Sequence, residues 1–196
     1  PTCAFSTLLH GMPSFGTMTK YEFFGQDKID NGWNEMPRYV DWQYLEEIKE
    51  LWDRPIILKG ILDEEDAVKA STVVDAIWLS NHGGRQIDLV PSPLQLLPNI
   101  RKKLEKDFPV IIDSGVSSGQ DIAKALALGA DFVMLGRPFM IGIAALGKKG
   151  AEHIHYILHD ELSNIMEQMC CKDISEIKFQ NTTVSNEFFL HNPTGI

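Results

Sequence analysis

The sequence of 196 residues has few cysteines, no basic excess and no long apolar run. Its three cysteines, Cys3, Cys170 and Cys171, form no CxxC or His-rich pattern, so the sequence predicts neither a disulfide framework nor a metal site. Unpaired, reduced thiols are typical of a cytosolic protein. No stretch reaches the ~20 apolar residues of a membrane-spanning helix, and no secretory signal opens the chain.

The charge balance is acidic, with 18 basic and 27 acidic side chains and a net charge of -9. DNA or RNA binding normally requires a basic stripe, whereas the lysines and arginines here are scattered among acids. Nucleic acid is therefore not an expected partner. A local site for a small anion stays compatible with the composition, because net charge says little about one pocket.

The hydrophobic pattern divides the chain. Residues 1–40 have no sustained period and many turn-forming residues, which predicts an irregular loop segment. From Asp41 onward, helices alternate with short apolar strands. We predict strands at 56–59, 76–79, 110–112 and 132–135, and helices at 41–52, 63–70, 91–106, 118–128 and 149–169. Residues 67–80 weakly repeat in residues 123–136.

The predicted strands are apolar without alternation, which is typical of parallel strands covered by helices on both sides. Strands that alternate with helices indicate an α/β fold. The polar and glycine residues stand just where these strands end, at the edge where α/β proteins bind ligands. A complete (β/α)8 barrel takes roughly 250 residues, so this chain is short for one.

His82 and Arg85 follow the second strand in the segment Ser80-Asn81-His82-Gly83-Gly84-Arg85-Gln86. The glycines allow a sharp turn, Arg85 offers a planar fork for a carboxylate, and His82 can take a proton near neutral pH. The pair suits a substrate whose carboxylate adjoins the carbon to be oxidised. A surface turn with a solvated arginine is the alternative, and the flanking residues favour function.

Three further groups of residues end strands. Gly136 and Arg137 precede Pro138 and predict a phosphate site at a helix N-terminus. A tight strand-to-helix turn without a ligand would have the same sequence pattern. The glycine- and serine-rich segment 113–119 predicts a hydroxyl- and phosphate-binding loop and a helix cap. Lys59 could stabilise a reduced, anionic flavin, or simply extend its ammonium into solvent.

Together these segments resemble the FMN-dependent 2-hydroxy acid dehydrogenase and oxidase family. The resemblance covers about residues 41–178, is most specific at residues 80–88, and is nearest the bacterial, quinone-linked lactate dehydrogenase branch at residues 52–55. It implies an α/β fold, namely the C-terminal half of a (β/α)8 TIM barrel, with strands 5 to 8 and their helices. Residues 1–40 would be part of the long loop after strand 4, and residues 179–196 a C-terminal tail.

The resemblance also implies an activity: oxidation of a small, lactate-like L-2-hydroxy acid to the 2-oxo acid with FMN as cofactor. His82 would be the base and Arg85 would hold the substrate carboxylate. The implied FMN contacts are Lys59, Ser80, Asp113, Ser114, Gly115, Ser117, Gly136 and Arg137. No metal is implied. The electron acceptor would be a quinone, a cytochrome or oxygen, and the sequence leaves both hydride and carbanion chemistry open.

Other expectations concern assembly and location. The chain starts at Pro1, which favours a piece of a longer protein. It would act with an N-terminal half or as a homo-oligomer, in the cytoplasm or peripherally on the inner membrane through residues 1–40. The alternatives are an inactive half-barrel or a barrel for another phosphate ligand. His155 and His159 have metal-binding spacing without a third ligand, so we interpret their helix as a packed one.

Overall fold

The computed structural model describes residues 41–86 and 89–177, and these fall into two compact units divided between Asp53 and Arg54. The first unit contains helix α1, Trp42–Leu51, which begins where the Asp41 carboxylate accepts a hydrogen bond from the Tyr44 N–H at 2.9 Å. Of its predicted apolar face, Leu45 is buried, whereas Leu51 is 86% exposed. The predicted N-cap is therefore confirmed, and the predicted packing face is only partly buried.

The second unit alternates strands and helices in the predicted order. Its elements are β1 (Ile57–Ile61), α2 (Glu64–Ser71), β2 (Ala76–Leu79), a 3-10 turn (His82–Gly84), α3 (Pro93–Lys103), β3 (Val110–Ile112), α4 (Gly119–Ala127), β4 (Phe132–Val133), α5 (Arg137–Leu146), a 3-10 turn (Gly147–Lys149), α6 (Gly150–Gln168) and α7 (Ile174–Ile177).

The four strands form one parallel sheet in the order β1-β2-β3-β4. Spatial order that follows chain order has no point of reversal, unlike a doubly wound sheet. Right-handed crossovers then place the connecting helices on the same face. The sheet is therefore a four-strand arc of a TIM barrel, as predicted.

The two faces of β2 differ: one lies in the hydrophobic core, and the other carries polar residues and Trp78. Alternate side chains of a strand point to opposite faces. Ile77 and Leu79 are fully buried on one face, together with Leu97 and Ile100 of α3 in the core. Trp78 and Ser80 share the other face with Lys59, which is paired in register with Trp78.

The prediction that all four strands are covered on both sides is wrong for the outer two. Val110 and Ile112 of β3 are buried, but Ile57 of β1 is 50% exposed and Phe132 of β4 is 60% exposed. Within residues 41–86 and 89–177, each outer strand has a hydrogen-bonded neighbour on one side only, so its side chains lack the cover that a further β/α unit would give. Strand β4 is also shorter than predicted, although the Met134 N–H still donates to the Ile112 carbonyl at 2.8 Å.

The weak internal repeat corresponds to a repeated structural device. Asp75 precedes β2, and its carboxylate accepts a hydrogen bond from the Ile56 N–H at 2.8 Å. Asp131 precedes β4, and its carboxylate accepts from the Val110 N–H at 2.9 Å. Each aspartate thus satisfies a backbone N–H at the start of the neighbouring strand and fixes how the two strands begin.

Helix lengths exclude a membrane span within the part of the chain that the structure describes: none of the helices there is long and apolar enough to cross a bilayer. The predicted helices at 63–70, 118–128 and 149–169 correspond to α2, α4 and α6 within one or two residues at each end. Helix α3 is shorter than predicted at both ends. The predicted irregular segment 1–40 and the tail 179–196 lie outside the described residues.

Candidate functional site

Three predicted residues meet at the carboxyl edge of the sheet. The Lys59 ammonium of β1 donates to the Ser80 hydroxyl, after β2, at 2.8 Å. The same ammonium lies 3.4 Å from the Asp113 carboxylate, after β3. The Lys59 side chain is 38% exposed and that of Asp113 20% exposed. The strand ends therefore bring a cation, a hydroxyl and a carboxylate into one half-open cluster.

The segment after β2 forms a tight left-handed turn. His82, Gly83 and Gly84 have φ angles of 55°, 68° and 71°, a region that a side chain on Cβ disfavours. The Gly84 N–H donates to the Asn81 side-chain oxygen at 3.1 Å, and the His82 N–H donates to the Ser80 hydroxyl at 3.1 Å. The backbone is thus held on both sides of His82, while its side chain is exposed.

Ser114 joins the loop after β3 to this turn. Its hydroxyl accepts from the Gly83 N–H at 2.9 Å and donates to the Asp113 carboxylate at 2.6 Å. Ser114 is also left-handed, with a φ of 74°. His82 and Ser114 thus both have a left-handed backbone, and the Gly83–Ser114 hydrogen bond joins the two loops that contain them. Backbone strain of this kind is often found at functional sites.

Gly136 and Arg137 stand at the start of α5. The Arg137 guanidinium donates to the Gly83 carbonyl, so the loop after β4 also reaches the His82 turn. Gly136 is the N-cap of α5, and among the described residues no side chain caps this helix end. The first N–H groups of a helix seek an acceptor, and its dipole favours an anion there.

Gly115 and Gly136 both border open space. A Cβ built on either residue would meet no described atom within 4 Å, and Gly115 has a φ of 83°. A loop of small residues facing open space lets a ligand approach the backbone closely. These two glycines leave room for a ligand at the carboxyl edge.

Ser117, a predicted FMN contact, hydrogen-bonds instead to helix α4, which begins two residues later. Its N–H and hydroxyl donate to the Asp121 carboxylate at 3.0 Å and 3.2 Å, and the Ser118 N–H donates to it at 3.2 Å. Burial opposes ionisation of Asp121, but these hydrogen bonds and the Lys124 ammonium outweigh it and lower the pKa of Asp121. Ser117 thus helps to close the N-terminus of α4.

Arg85 and His82 present exposed side chains just beyond this cluster. Neither side chain has a hydrogen-bonding or ion-pair partner among residues 41–86 and 89–177, whereas the Arg85 N–H donates to the His82 carbonyl at 3.4 Å. One short turn next to the cluster therefore carries both an exposed imidazole and an exposed guanidinium. Both are available to a ligand.

Trp78 was not predicted as a site residue, yet it belongs to the cluster. The Lys59 ammonium lies 5.1 Å from the centroid of its ring. Its indole N–H is buried and has no acceptor among the described residues. The sequence did carry a signal: Trp78 precedes Ser80 by two positions, so the two residues share a face of β2.

A separate surface cavity of about 660 Å³ lies along α6, away from the predicted site residues. Its lining comprises Leu146, Lys149, Glu152, His153, His155, Tyr156 and His159. The rings of His155 and His159 have centroids 6.2 Å apart. No group of three potential metal ligands occurs within the described ranges.

Comparison with known proteins identifies related chains. A family model described as FMN-dependent dehydrogenase matches residues 8–184. An L-lactate dehydrogenase from Vibrio cholerae is 40% identical over 184 residues, which are 90% of this chain and 48% of that protein. One from Chromohalobacter salexigens is 37% identical over 182 residues, 90% of this chain and 46% of that protein.

Solved structures agree with these sequence relatives. An oxidised active mutant of (S)-mandelate dehydrogenase has 39% identity and a TM-score of 0.67, over 70% of this chain and 39% of that one. A mandelate oxidase with (S)-mandelic acid has 35% identity and a TM-score of 0.71, over 74% and 44%. A further mandelate oxidase structure holds a monooxide FMN adduct. This chain spans about half the length of the curated relatives it matches.

Proposed function

The chain belongs to the FMN-dependent dehydrogenase family, and we propose that it supplies the base, the carboxylate clamp and much of the flavin pocket of a barrel that oxidises a small, lactate-like L-2-hydroxy acid. The observation that carries the proposal is the cluster at the carboxyl edge, where Lys59, Ser80 and Asp113 meet beside the His82 turn. Ligands of α/β barrels bind at this edge.

The residues present fit FMN. The uncapped N-terminus of α5 at Gly136, beside the Arg137 guanidinium, is suited to the phosphate. Open space at Gly115 would let a polar chain lie along the loop after β3, within reach of Asp113 and Ser114. Ser80 and Lys59 would meet the ring, and Ser117 would support this loop by holding the start of α4.

FMN, when bound, supplies the two-electron acceptor. The Arg85 guanidinium would hold the substrate carboxylate through two parallel hydrogen bonds. His82 would accept a proton, from the hydroxyl in hydride chemistry or from Cα in carbanion chemistry. The Lys59 ammonium would stabilise negative charge that develops next to it, because a charge already held in place needs no reorganisation during the reaction.

The names of the relatives suggest the substrate class. The Vibrio cholerae relative is named L-lactate dehydrogenase, and the solved neighbours act on or bind mandelate. Both compounds place a hydroxyl beside a carboxylate, which suits a turn that carries both a base, His82, and a carboxylate-binding group, Arg85. A quinone, a cytochrome or oxygen would take the electrons onward.

An N-terminal half-barrel is the partner that the open sheet suits best. Strands β1 and β4 each leave one edge unpaired within the described sheet, and unpaired edges readily accept another strand. Apolar side chains are exposed beside these edges: Ile57 at 50%, Phe132 at 60% and Met134 at 44%. Four further β/α units would cover these edges and close the barrel. A homo-oligomer of this chain is the competing assembly.

The chain organisation and location follow from the same family resemblance. We propose a loop segment at 1–40, a half-barrel at 41–178 and a tail at 179–196. The proposed compartment is the cytoplasm, with residues 1–40 making peripheral contact with the inner membrane. Membrane fractionation of the chain with and without residues 1–40 tests this, since equal recovery in the membrane fraction would contradict the contact.

The activity is tested by optical titration of FMN into the chain, alone and co-expressed with the N-terminal half of the Vibrio cholerae relative. L-Lactate, glycolate and (S)-mandelate are then added without oxygen. We expect the completed barrel to retain FMN and at least one acid to bleach it. If neither the chain alone nor the completed barrel retained FMN, the proposal would be contradicted. Retention without bleaching by any acid would instead support a barrel for another phosphate ligand.

A further inference from the structure

We propose that Trp78 is a positioning residue that holds the Lys59 ammonium at the carboxyl edge of the sheet. The contact itself is a property of the chain without ligand. Its consequence for the flavin rests on the proposed function.

The register of the sheet creates the contact. Lys59 of β1 pairs with Trp78 of β2, and parallel neighbours in register point their side chains to the same face. The Lys59 ammonium accordingly lies over the indole, 5.1 Å from its centroid, which is within the range of a cation–π interaction.

Three groups then fix the ammonium from different directions. Ser80 accepts a hydrogen bond at 2.8 Å and Asp113 lies at 3.4 Å, both from the loops beyond the strands. The Trp78 ring contacts it from the neighbouring strand, β2. A lysine chain that is 38% exposed has many rotamers, and two acceptors on the loop side alone would leave its stem free to move. The ring provides the remaining restraint.

The indole N–H does not explain why a tryptophan stands at this position. That group is buried and lacks an acceptor among the described residues, which disfavours tryptophan relative to an aliphatic residue of a strand. The polar interaction that the side chain does make is through its face, with Lys59. The electrostatic contribution of Trp78 is therefore made to the cation.

The position of this charge matters because Coulomb energy falls with distance. An ammonium held at the mouth stabilises an anionic, reduced flavin more than a neutral, oxidised one. Without the ring, the ammonium would spend time nearer Asp113 or in solvent. Trp78 would thus favour reduction of the flavin without touching the substrate.

The first test is NMR of the chain without FMN. Ring currents should shift the Lys59 ε-methylene protons upfield, and Trp78→Leu should remove this shift. Trp78→Phe should retain part of it and serves where Trp78→Leu does not fold. Trp52→Leu, at a half-exposed tryptophan of the first unit, should leave it unchanged. Ordinary Lys59 shifts in the unsubstituted chain, or shifts unaltered in both Trp78 variants, would overturn the proposal.

The second test measures binding of reduced and oxidised FMN to the barrel completed with the N-terminal half. In Trp78→Leu, the preference for reduced FMN should fall about 2- to 5-fold, the range expected of a partly exposed cation–π contact. In a Lys59→Met background the same substitution should have no effect. An equal fall in both backgrounds would overturn the proposal. Loss of FMN binding by every form, including the unsubstituted barrel, would contradict the proposed function alone, because the NMR result decides the role of Trp78 independently.

Discussion

Ser114 makes two opposing contributions to the stability of the fold. Its hydroxyl bonds to Gly83 and Asp113, while its φ of 74° is unfavourable for a residue with a Cβ. A glycine at this position would lose the hydrogen bonds but relieve the backbone, whereas an alanine would lose the bonds and keep the strain.

We therefore expect Ser114→Ala to be less stable than Ser114→Gly by about 1 kcal/mol. Both variants should weaken FMN binding to a similar degree, because both release the turn at Gly83. Urea unfolding and an FMN titration of the two variants measure this. Greater stability of the alanine variant would show that the left-handed backbone at Ser114 stores no strain.

The position of the candidate site residues, at the carboxyl edge of the sheet, was the most predictable part of the molecule. His82 and Arg85 were singled out because a local motif combines them with two glycines just after a strand, and their roles stay predictions. Lys59, Ser80 and Asp113 could be placed together because parallel strands end at one edge. The contact with Trp78 was missed because it depends on the register between β1 and β2, which no local pattern specifies.

Glycines with similar backbone angles allow strain to be separated from steric clash. Gly60 in β1 and Gly129 before β4 have φ angles of 101° and 108°. A Cβ on Gly60 would meet no described atom within 4 Å, whereas one on Gly129 would lie 2.6 Å from Cγ of the buried Arg101. Arg101 cannot easily yield, since its guanidinium donates to the Phe108 carbonyl at 2.7 Å and to the Glu105 carbonyl.

Gly60→Ala should lower the free energy of unfolding by about 1–2 kcal/mol, through backbone strain alone. Gly129→Ala should cost at least about 1 kcal/mol more, because overpacking adds to the strain. Urea unfolding of the two variants side by side gives the difference. Equal losses would mean that Arg101 moves aside without cost.

The start of α4 has a carboxyl whose ionised form the fold favours. Hydrogen bonds from Ser117 and Ser118 lower the pKa of Asp121 despite its partial burial. A carboxyl with a lower pKa in the folded state stabilises the fold above its unfolded pKa of ~3.9 and loses this contribution as pH falls through the folded pKa.

The free energy of unfolding of the unsubstituted chain should accordingly exceed that of the Asp121→Asn variant by a constant amount from neutral pH down to about pH 5. The difference should shrink below about pH 4, as the Asp121 carboxyl takes up its proton. Urea unfolding at a series of pH values measures this. A difference that grows on acidification would contradict the sign of the pKa shift.

Element types were predicted better than their surroundings. The helices α2 and α4 follow from caps at Asp63 and Ser118 together with apolar periodicity, and α6 from periodicity alone, all of which are encoded locally. The exposure of β1 and β4 follows from the predicted half-barrel and not from their own residues, because an apolar strand has the same sequence pattern whether its neighbour is present or absent. The short helix α7 was missed: Ile177 is fully buried against Leu126 and Ala127, so tertiary packing stabilises a segment of only four residues.

Helix α5, which follows the outer strand β4 in the chain, also exposes apolar side chains. Met140, Ile141, Ile143 and Leu146 are between 51% and 67% exposed, and clustered apolar exposure marks interaction surfaces. A half-barrel partner would cover this helix together with the edge of β4. Ile141→Gln, at 67% exposure, should then weaken co-purification with the N-terminal half while leaving the chain's own unfolding unchanged.

Lys102→Gln, at an exposed position of α3, is the control and should co-purify normally. Helix α3 lies between α2 and α4 in chain order, away from both sheet edges. Equal binding of the Ile141→Gln and unsubstituted chains would exclude α5 from the interface. Self-association of the chain that Ile141→Gln abolishes would favour a homo-oligomer instead.

The role of the strand-end cluster is tested most directly by the rate at which L-lactate bleaches bound FMN in a single anaerobic turnover. The barrel completed with the N-terminal half is compared as His82→Asn and as His155→Asn. Asparagine tolerates the left-handed backbone of residue 82, where φ is 55°, so the substitution removes the imidazole proposed as the base with little change in the turn.

His155→Asn changes an exposed histidine of α6 and should react at the unsubstituted rate. With FMN still bound, His82→Asn should react about 10²- to 10⁴-fold more slowly, the contribution typical of a positioned base. Bleaching of the His82→Asn form at the unsubstituted rate would contradict the assignment of His82 as the base and the function built on it.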